Sequence, residues 1–241
     1  MPGTTIKIAA SAGGAFDCYL ALPADAARHS AEKVPAVVLA SSVYGVDKDL
    51  RDIADEFAAR GFIAVAPDLF WRSHPGPLGR ADQKLAAARA QPRAQRIMEG
   101  EADMADALAA LRQQPAFNGR AVAMGLCYGG PYAMIGPKRL GYAGGVSCHG
   151  TRMQDYVGEL DGLTAPVCII WGDQDNQAPP DVQALFRAVP AQHPNVEVHI
   201  FPGVQHAYMM PDSGAAYDRT TREFSMARAF AMLDRFRGAK V

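Results

Sequence analysis

The chain has 241 residues, with 24 basic and 25 acidic side chains, a formal net charge of -1 at pH 7, and 49% hydrophobic residues. A chain of this size folds as one large or two small domains and buries roughly 70 to 75% of its unfolded surface without staples. The balanced charge excludes the basic footprint of a nucleic-acid or membrane-surface binder, and no apolar stretch approaches the roughly 20 residues of a membrane span.

In chain order, short apolar runs alternate with longer helical patterns. Strands are predicted at 5–9, 15–22, 36–40, 62–66, 120–124, 143–148, 167–171 and 196–201. Helices are predicted at 48–60, 81–90, 93–113, 130–136, 181–189 and 221–237. The first two strands, joined near Ser11-Ala12-Gly13-Gly14, read as an antiparallel hairpin at one edge. The later strands are continuous apolar runs, as parallel strands covered on both faces are. Thr220-Thr221-Arg222-Glu223 offers a capping box for the last helix. With no internal repeat or low-complexity linker, the pattern predicts a single α/β domain over 1–241, a mostly parallel, doubly wound sheet of about eight strands with helices on both faces. Strand C-termini then share one edge, where sites form.

The start, Met1-Pro2-Gly3-Thr4-Thr5, has neither the basic region nor the apolar stretch of a secretory signal. The cysteines Cys18, Cys127, Cys148 and Cys168 show no C-x-x-C spacing, so free thiols in a cytoplasmic setting are expected. Cys168, within Val167-Cys168-Ile169-Ile170, reads as a core hydrophobe. His193 and His199 do not form an H-E-x-x-H helix and the cysteines are scattered, so no metal is expected. Without a Walker motif or dinucleotide-binding spacing, no cofactor is expected either. No nucleic-acid and no membrane partner is expected, and the expected state is a monomer or weak homodimer.

Three segments leaving strand C-termini carry reactive groups. Cys127 lies in Gly125-Leu126-Cys127-Tyr128-Gly129-Gly130, which looks like a nucleophile elbow with cysteine for serine. The glycines suit a strained turn whose flanking side chains would collide. Asp173 and Asp175 follow the seventh strand, and His206 follows the eighth. Nucleophile, acid, histidine is the chain order of α/β-hydrolases. His206 can take the thiol proton and later return it to a leaving group. Asp175 is the chosen partner, fixing the imidazole tautomer; Asp173 is the alternative, otherwise a turn cap beside Gly172. The helix after Cys127 is expected to add positive potential at the sulfur. The oxyanion donors are expected to be the backbone N–H groups of Tyr128 and Val43. Of His29, His74, His149, His193 and His199, only His149 follows a strand, and it is expected to pack or hydrogen-bond beneath the site. Gly145-Val146-Ser147-Cys148-His149 lacks the second glycine of a serine elbow.

The chain resembles the dienelactone hydrolase (carboxymethylenebutenolidase) family over nearly all its length. The segments that carry the resemblance are Val43-Tyr44-Gly45-Val46, Ala66-Pro67-Asp68-Leu69-Phe70-Trp71-Arg72, the Cys127 elbow, Gly172-Asp173-Gln174-Asp175 with Pro179, and Gly203-Val204-Gln205-His206. The resemblance implies a Cys127–Asp175–His206 triad that opens a lactone through a thioester. It also implies that Arg72 binds a substrate carboxylate. Two positions depart from the family. Ser42 stands where relatives have a glutamate that engages the resting thiol, so Cys127 is expected to pair more directly with His206. Met210 stands where a second carboxylate-binding arginine is found, so selectivity for small anions is expected to weaken. Tyr44, Phe70, Trp71, Tyr128, Met209 and Met210 suggest an apolar, adaptable pocket. Two alternatives are a catalytically silent binding module and a redox-sensing cysteine.

Overall fold

The computed structural model describes residues 2–24 and 33–238. Its strands are β1 (Thr4–Ala9), β2 (Ala15–Ala21), β3 (Val34–Ala40), β4 (Ile63–Pro67), β5 (Phe117–Leu126), β6 (Gly144–Cys148), β7 (Val167–Gln174) and β8 (Val196–Gln205). They form one eight-stranded sheet in the order β1-β2-β4-β3-β5-β6-β7-β8. β1 with β2 and β2 with β4 are antiparallel, while β3–β4, β5–β6, β6–β7 and β7–β8 are parallel. The helices are α1 (Lys48–Ala59), α2 (Gln83–Arg89), α3 (Arg93–Leu111), α4 (Tyr132–Ile135), α5 (Pro180–Gln192) and α6 (Arg219–Asp234). The chain divides into two compact units, one of residues 1–121 and 233–241 and one of residues 122–232.

In the first unit the edge hairpin forms where the sequence predicts it, with Thr4 opposite Leu20 and Ala9 opposite Ala15. Every residue of β4 is buried, so both faces of that strand are covered, as its unbroken apolar run requires. α1 buries Leu50, Ile53, Ala54 and Phe57, one stripe at helical spacing, and packs on β2, β3 and β4. Its first turn is capped by Asp47, whose Oδ1 accepts the Leu50 N–H at 3.0 Å. α3 buries Ile97, Met104, Ala107, Leu108 and Leu111 and packs on β1, β3 and β4.

In the second unit Trp171 and Ile169 of β7 pack with Phe186 and Val182 of α5, Met134 of α4, and Met153 and Leu160 of a 3₁₀ segment. Three expectations are corrected here. The helix predicted at 130–136 is a composite: a 3₁₀ turn at Cys127–Gly129, the single turn of α4, and a π turn at Gly136–Leu140. No long dipole therefore follows Cys127. The last helix starts two residues before Thr221 and is capped by Asp218, whose Oδ1 accepts the Thr221 N–H at 2.7 Å; the predicted capping box lies inside the helix. β7 and β8 also run beyond their apolar cores, to Gln174 and Gln205.

Candidate active site

Cys127 is placed by local strain. It follows β5 with φ 53, a left-handed backbone that ordinary residues adopt only when the surroundings enforce it. A Cβ on Gly125 would stand 2.0 Å from the Gly129 carbonyl oxygen, and one on Gly130 would stand 2.4 Å from Gly150 Cα. Glycine at both positions lets the turn close this tightly. The Cys127 carbonyl then accepts from Gly130 N at 3.0 Å and Thr151 N at 2.9 Å. The loop after β6 thus fastens the elbow.

Asp175 and His206 are delivered by the extended ends of β7 and β8. A bulge between Gly172 and Gln174 resets the register, so that Gln174 pairs with Gln205. The next residue on each strand is Asp175 and His206, and they leave the sheet side by side. His206 Nδ1 lies 2.9 Å from both carboxylate oxygens of Asp175. On the other side of the ring, His206 Nε2 lies 3.2 Å from Cys127 Sγ. The Asp175 side chain is fully buried and its Oδ1 also accepts the Gln177 N–H at 2.8 Å. Asp173 faces elsewhere: its Oδ1 accepts the Gly203 N–H at 2.7 Å, tying the β8 turn to β7.

Burial alone would hold the His206 imidazole below its ordinary value. The charge of Cys127 and the hydrogen bond to Asp175 outweigh it and push His206 up to about 10. A sulfur anion and an imidazolium therefore favour each other across the 3.2 Å contact. His149, fully buried, sets its ring edge-on to His206, centroids 5.0 Å apart, and edge-on to Tyr208 at 5.2 Å. The Tyr208 hydroxyl lies 2.9 Å from Ser225 Oγ. Cys148 is buried, and burial pushes its thiol up to about 12, which makes it a poor resolving thiol for a redox switch. Met210 is buried, with its carbonyl accepting from Ser213 N at 2.9 Å.

In the first unit, the Val43 carbonyl accepts from Arg89 Nε at 2.9 Å, and Arg89 Nη1 also reaches Gly76 O at 2.7 Å. Arg89 thus braces the loop after β3, a role no sequence signal announced. Ser42 Oγ accepts the Tyr44 N–H at 3.2 Å, and the Tyr44 ring lies under Arg80 at 4.1 Å. Arg72 stacks on Trp71 at 4.2 Å, and its Nη1 meets Asp103 Oδ2 at 2.8 Å. Trp71 Nε1 donates to the same carboxylate at 3.1 Å. Asp103, fully buried, was missed by the sequence reading. Its one trace there is an acid on the α3 face that carries Ile97, Met104 and Ala107. His29 lies outside the described residues.

A family model described as the dienelactone hydrolase family matches residues 16–237. The chain belongs to that family. Carboxymethylenebutenolidase 1 of Cupriavidus pinatubonensis is 25% identical over 95% of this chain and 95% of its own length. Among solved structures, a dienelactone hydrolase-like promiscuous phosphotriesterase, P91, from metagenomic libraries superposes with a TM-score of 0.78 at 19% identity, covering 99% of this chain and all of that one. The dienelactone hydrolase of Anabaena variabilis superposes with a TM-score of 0.67 at 16% identity, covering 98% of this chain and 97% of that one. Both likenesses establish the α/β-hydrolase fold. Among the described residues no helix is long and apolar enough to cross a membrane.

Proposed function

We propose that this member of the dienelactone hydrolase family hydrolyses lactones and carboxylic esters through a thioester on Cys127. The observation that carries the reading is the His206 ring, 3.2 Å from Cys127 Sγ on one edge and 2.9 Å from Asp175 on the other. The Cys127 thiolate attacks the carbonyl carbon, and the Tyr128 backbone N–H faces the oxyanion. His206 gives its Nε2 proton to the departing alkoxide, which in a lactone stays tethered as the new hydroxyl. Water, deprotonated by His206, then attacks the thioester, and the carboxylic acid leaves with the sulfur restored as thiolate. Asp175 keeps the Nδ1 proton in place through both steps.

The substrate class follows from charge. Met210 offers no cation, and Arg72 is already paired with Asp103 at 2.8 Å. Neutral and bulkier esters should therefore compete well with a small anionic lactone. Val43 as second oxyanion donor, Tyr44, Trp71 and Arg72 as substrate contacts, a single domain and a cytoplasmic location belong to the same proposal, supported by the family resemblance.

The test is a panel of lactones, aryl esters and thioesters assayed with the wild type and Cys127→Ser. The reading expects turnover of several neutral esters and a large rate loss in the variant, since serine is poorly ionised at an elbow suited to sulfur. Turnover of dienelactone alone would refute the substrate class. Equal rates in the variant would refute the sulfur chemistry.

A further inference from the structure

Two clusters of metal-binding side chains occur among the described residues, Cys127 with His149 and His206, and Cys168 with Glu197 and His199; within each, the donor atoms lie within 4.8 Å of one another. They differ in what surrounds them. In the second, Arg228 is ion-paired with Glu197, so a guanidinium already holds the carboxylate a cation would need. In the first, His206 carries an anion, Asp175, on its Nδ1.

We propose that Cys127, His149 and His206 form a binding site for a zinc-class divalent cation that reversibly blocks the enzyme. The inference rests on the proposed hydrolytic role of Cys127 and His206, because the cation would take up the same sulfur and Nε2 electron pairs. The geometry is close to what is required. Zinc–sulfur and zinc–nitrogen bonds of about 2.3 and 2.0–2.1 Å place tetrahedral S and N ligands about 3.6 Å apart. Cys127 Sγ and His206 Nε2 stand 3.2 Å apart, so a few tenths of an ångström of widening admits the ion. A second nitrogen belongs about 3.3 Å from the first in the same geometry. The His149 donor starts within 4.8 Å of both atoms, and its ring is turned 79° to that of His206. A shift of about one to one and a half ångströms brings it into the ligand set.

The chemistry of the donors selects the metal. One thiolate and two imidazoles suit zinc and its neighbours and disfavour magnesium and calcium. His206 brings its own support, since Nδ1 bonded to Asp175 makes the carboxylate–histidine–metal chain that raises ligand basicity and fixes the ring. Half-buried Cys127 leaves the fourth position to water. Binding releases the one proton shared between Cys127 Sγ and His206 Nε2. No covalent bond of the chain breaks and no group changes oxidation state. With both electron pairs engaged, the nucleophile and the base are masked together until a chelator removes the ion.

The probe is Co2+ titrated into the full chain, read by its thiolate-to-metal charge-transfer absorption and displaced with Zn2+. The expected result is one ion per chain in the wild type, no thiolate band in Cys127→Ala, and affinity lower by at least roughly tenfold in His149→Phe. A wild type without the band, or a His149→Phe variant with undiminished affinity, overturns the site. Because His149 is buried and its replacement can disturb folding, a zinc-soaked wild-type crystal gives a second reading. An anomalous peak between the three donors supports the site, and a peak elsewhere or none sinks it. Ester hydrolysis measured in chelator separates the two proposals. Hydrolysis without cobalt binding sinks only the metal site, whereas cobalt binding without hydrolysis sinks the proposed function and the block with it and leaves the ion site standing.

Discussion

Gly172 and Val204 meet backbone to backbone: a Cβ on Gly172 would stand 1.9 Å from the Val204 carbonyl oxygen. That approach lies inside the bulge that pairs Gln174 with Gln205, and so decides that Asp175 and His206 emerge as neighbours. Alanine at 172 must push β7 and β8 apart. The expected cost is about 3 kcal/mol or more, a Tm drop of roughly 6 to 12 °C. The rate should fall as well, because the Asp175–His206 contact depends on that register. Thermal melting and steady-state kinetics of Gly172→Ala check both, and an unchanged Tm would show that the strands yield freely.

Asp175 accepts from His206 and from the Gln177 N–H. In Asp175→Asn the shape is kept, but the imidazolium loses its counter-charge and the tautomer is no longer fixed. The expected loss in kcat is roughly 10²- to 10⁴-fold with little change in KM. Asp173→Asn, which alters the contacts to Gly203 N and Gln174 Nε2, should leave kcat within a few-fold. The reverse ranking would move the acid role to Asp173.

His206 is pushed up to about 10, the Cys127 charge and the Asp175 bond outweighing burial, against roughly 6.5 for an ordinary imidazole. A raised value means that the charged ring stabilises the fold fully below pH of about 6.5, and that this contribution is lost as pH rises toward about 10. The wild-type Tm should therefore decline more steeply across that window than the Tm of His206→Gln. Parallel pH–Tm curves would contradict the ion pair. A histidine signal titrating near 6.5 by NMR would do the same.

Arg72 is tied to Asp103 at 2.8 Å. If it holds a substrate carboxylate, as the family resemblance implies, the bond to Asp103 competes with that task. Asp103→Asn should then raise kcat/KM for an anionic lactone relative to a neutral ester by roughly 2- to 5-fold, the scale of a partly exposed ion pair. A ratio that does not move would remove Arg72 from substrate selection.

Where the sequence was legible, the reason was periodicity. Continuous apolar runs such as Val37–Ala40 and Val122–Met124 have both faces covered and could be read as parallel strands. The ends of β7 and β8 were not legible, because Gly172-Asp173-Gln174 and Pro202-Gly203 are turn-forming residues; here Gly172 pairs with Phe201 and Gln174 with Gln205 across the bulge. The stretch after Cys127 misled for the opposite reason. Its composition suits a helix, yet Gly136-Pro137 and the tight contacts of Gly130 divide it into short turns. Within the site, the order Cys127, Asp175, His206 was readable, since each follows a strand. Asp175 was the chosen partner in the sequence, but the reason it lies against the ring is visible only in space: the bulge changes which carboxylate faces His206. His149 was legible as a residue that packs beside the site, since it follows a strand, and its ring does lie edge-on to His206; Asp103 was unreadable as a partner, because Trp71 lies 32 residues from it and spacing of that kind carries no signal.

The account stands on sulfur as the attacking atom. Rapid-quench mass spectrometry during turnover of an aryl ester tests this directly. An acyl group should accumulate on the peptide carrying Cys127 and disappear as product forms, with no adduct and no turnover in Cys127→Ala. Turnover that proceeds without acylation of Cys127, or with the acyl group on another residue, contradicts it.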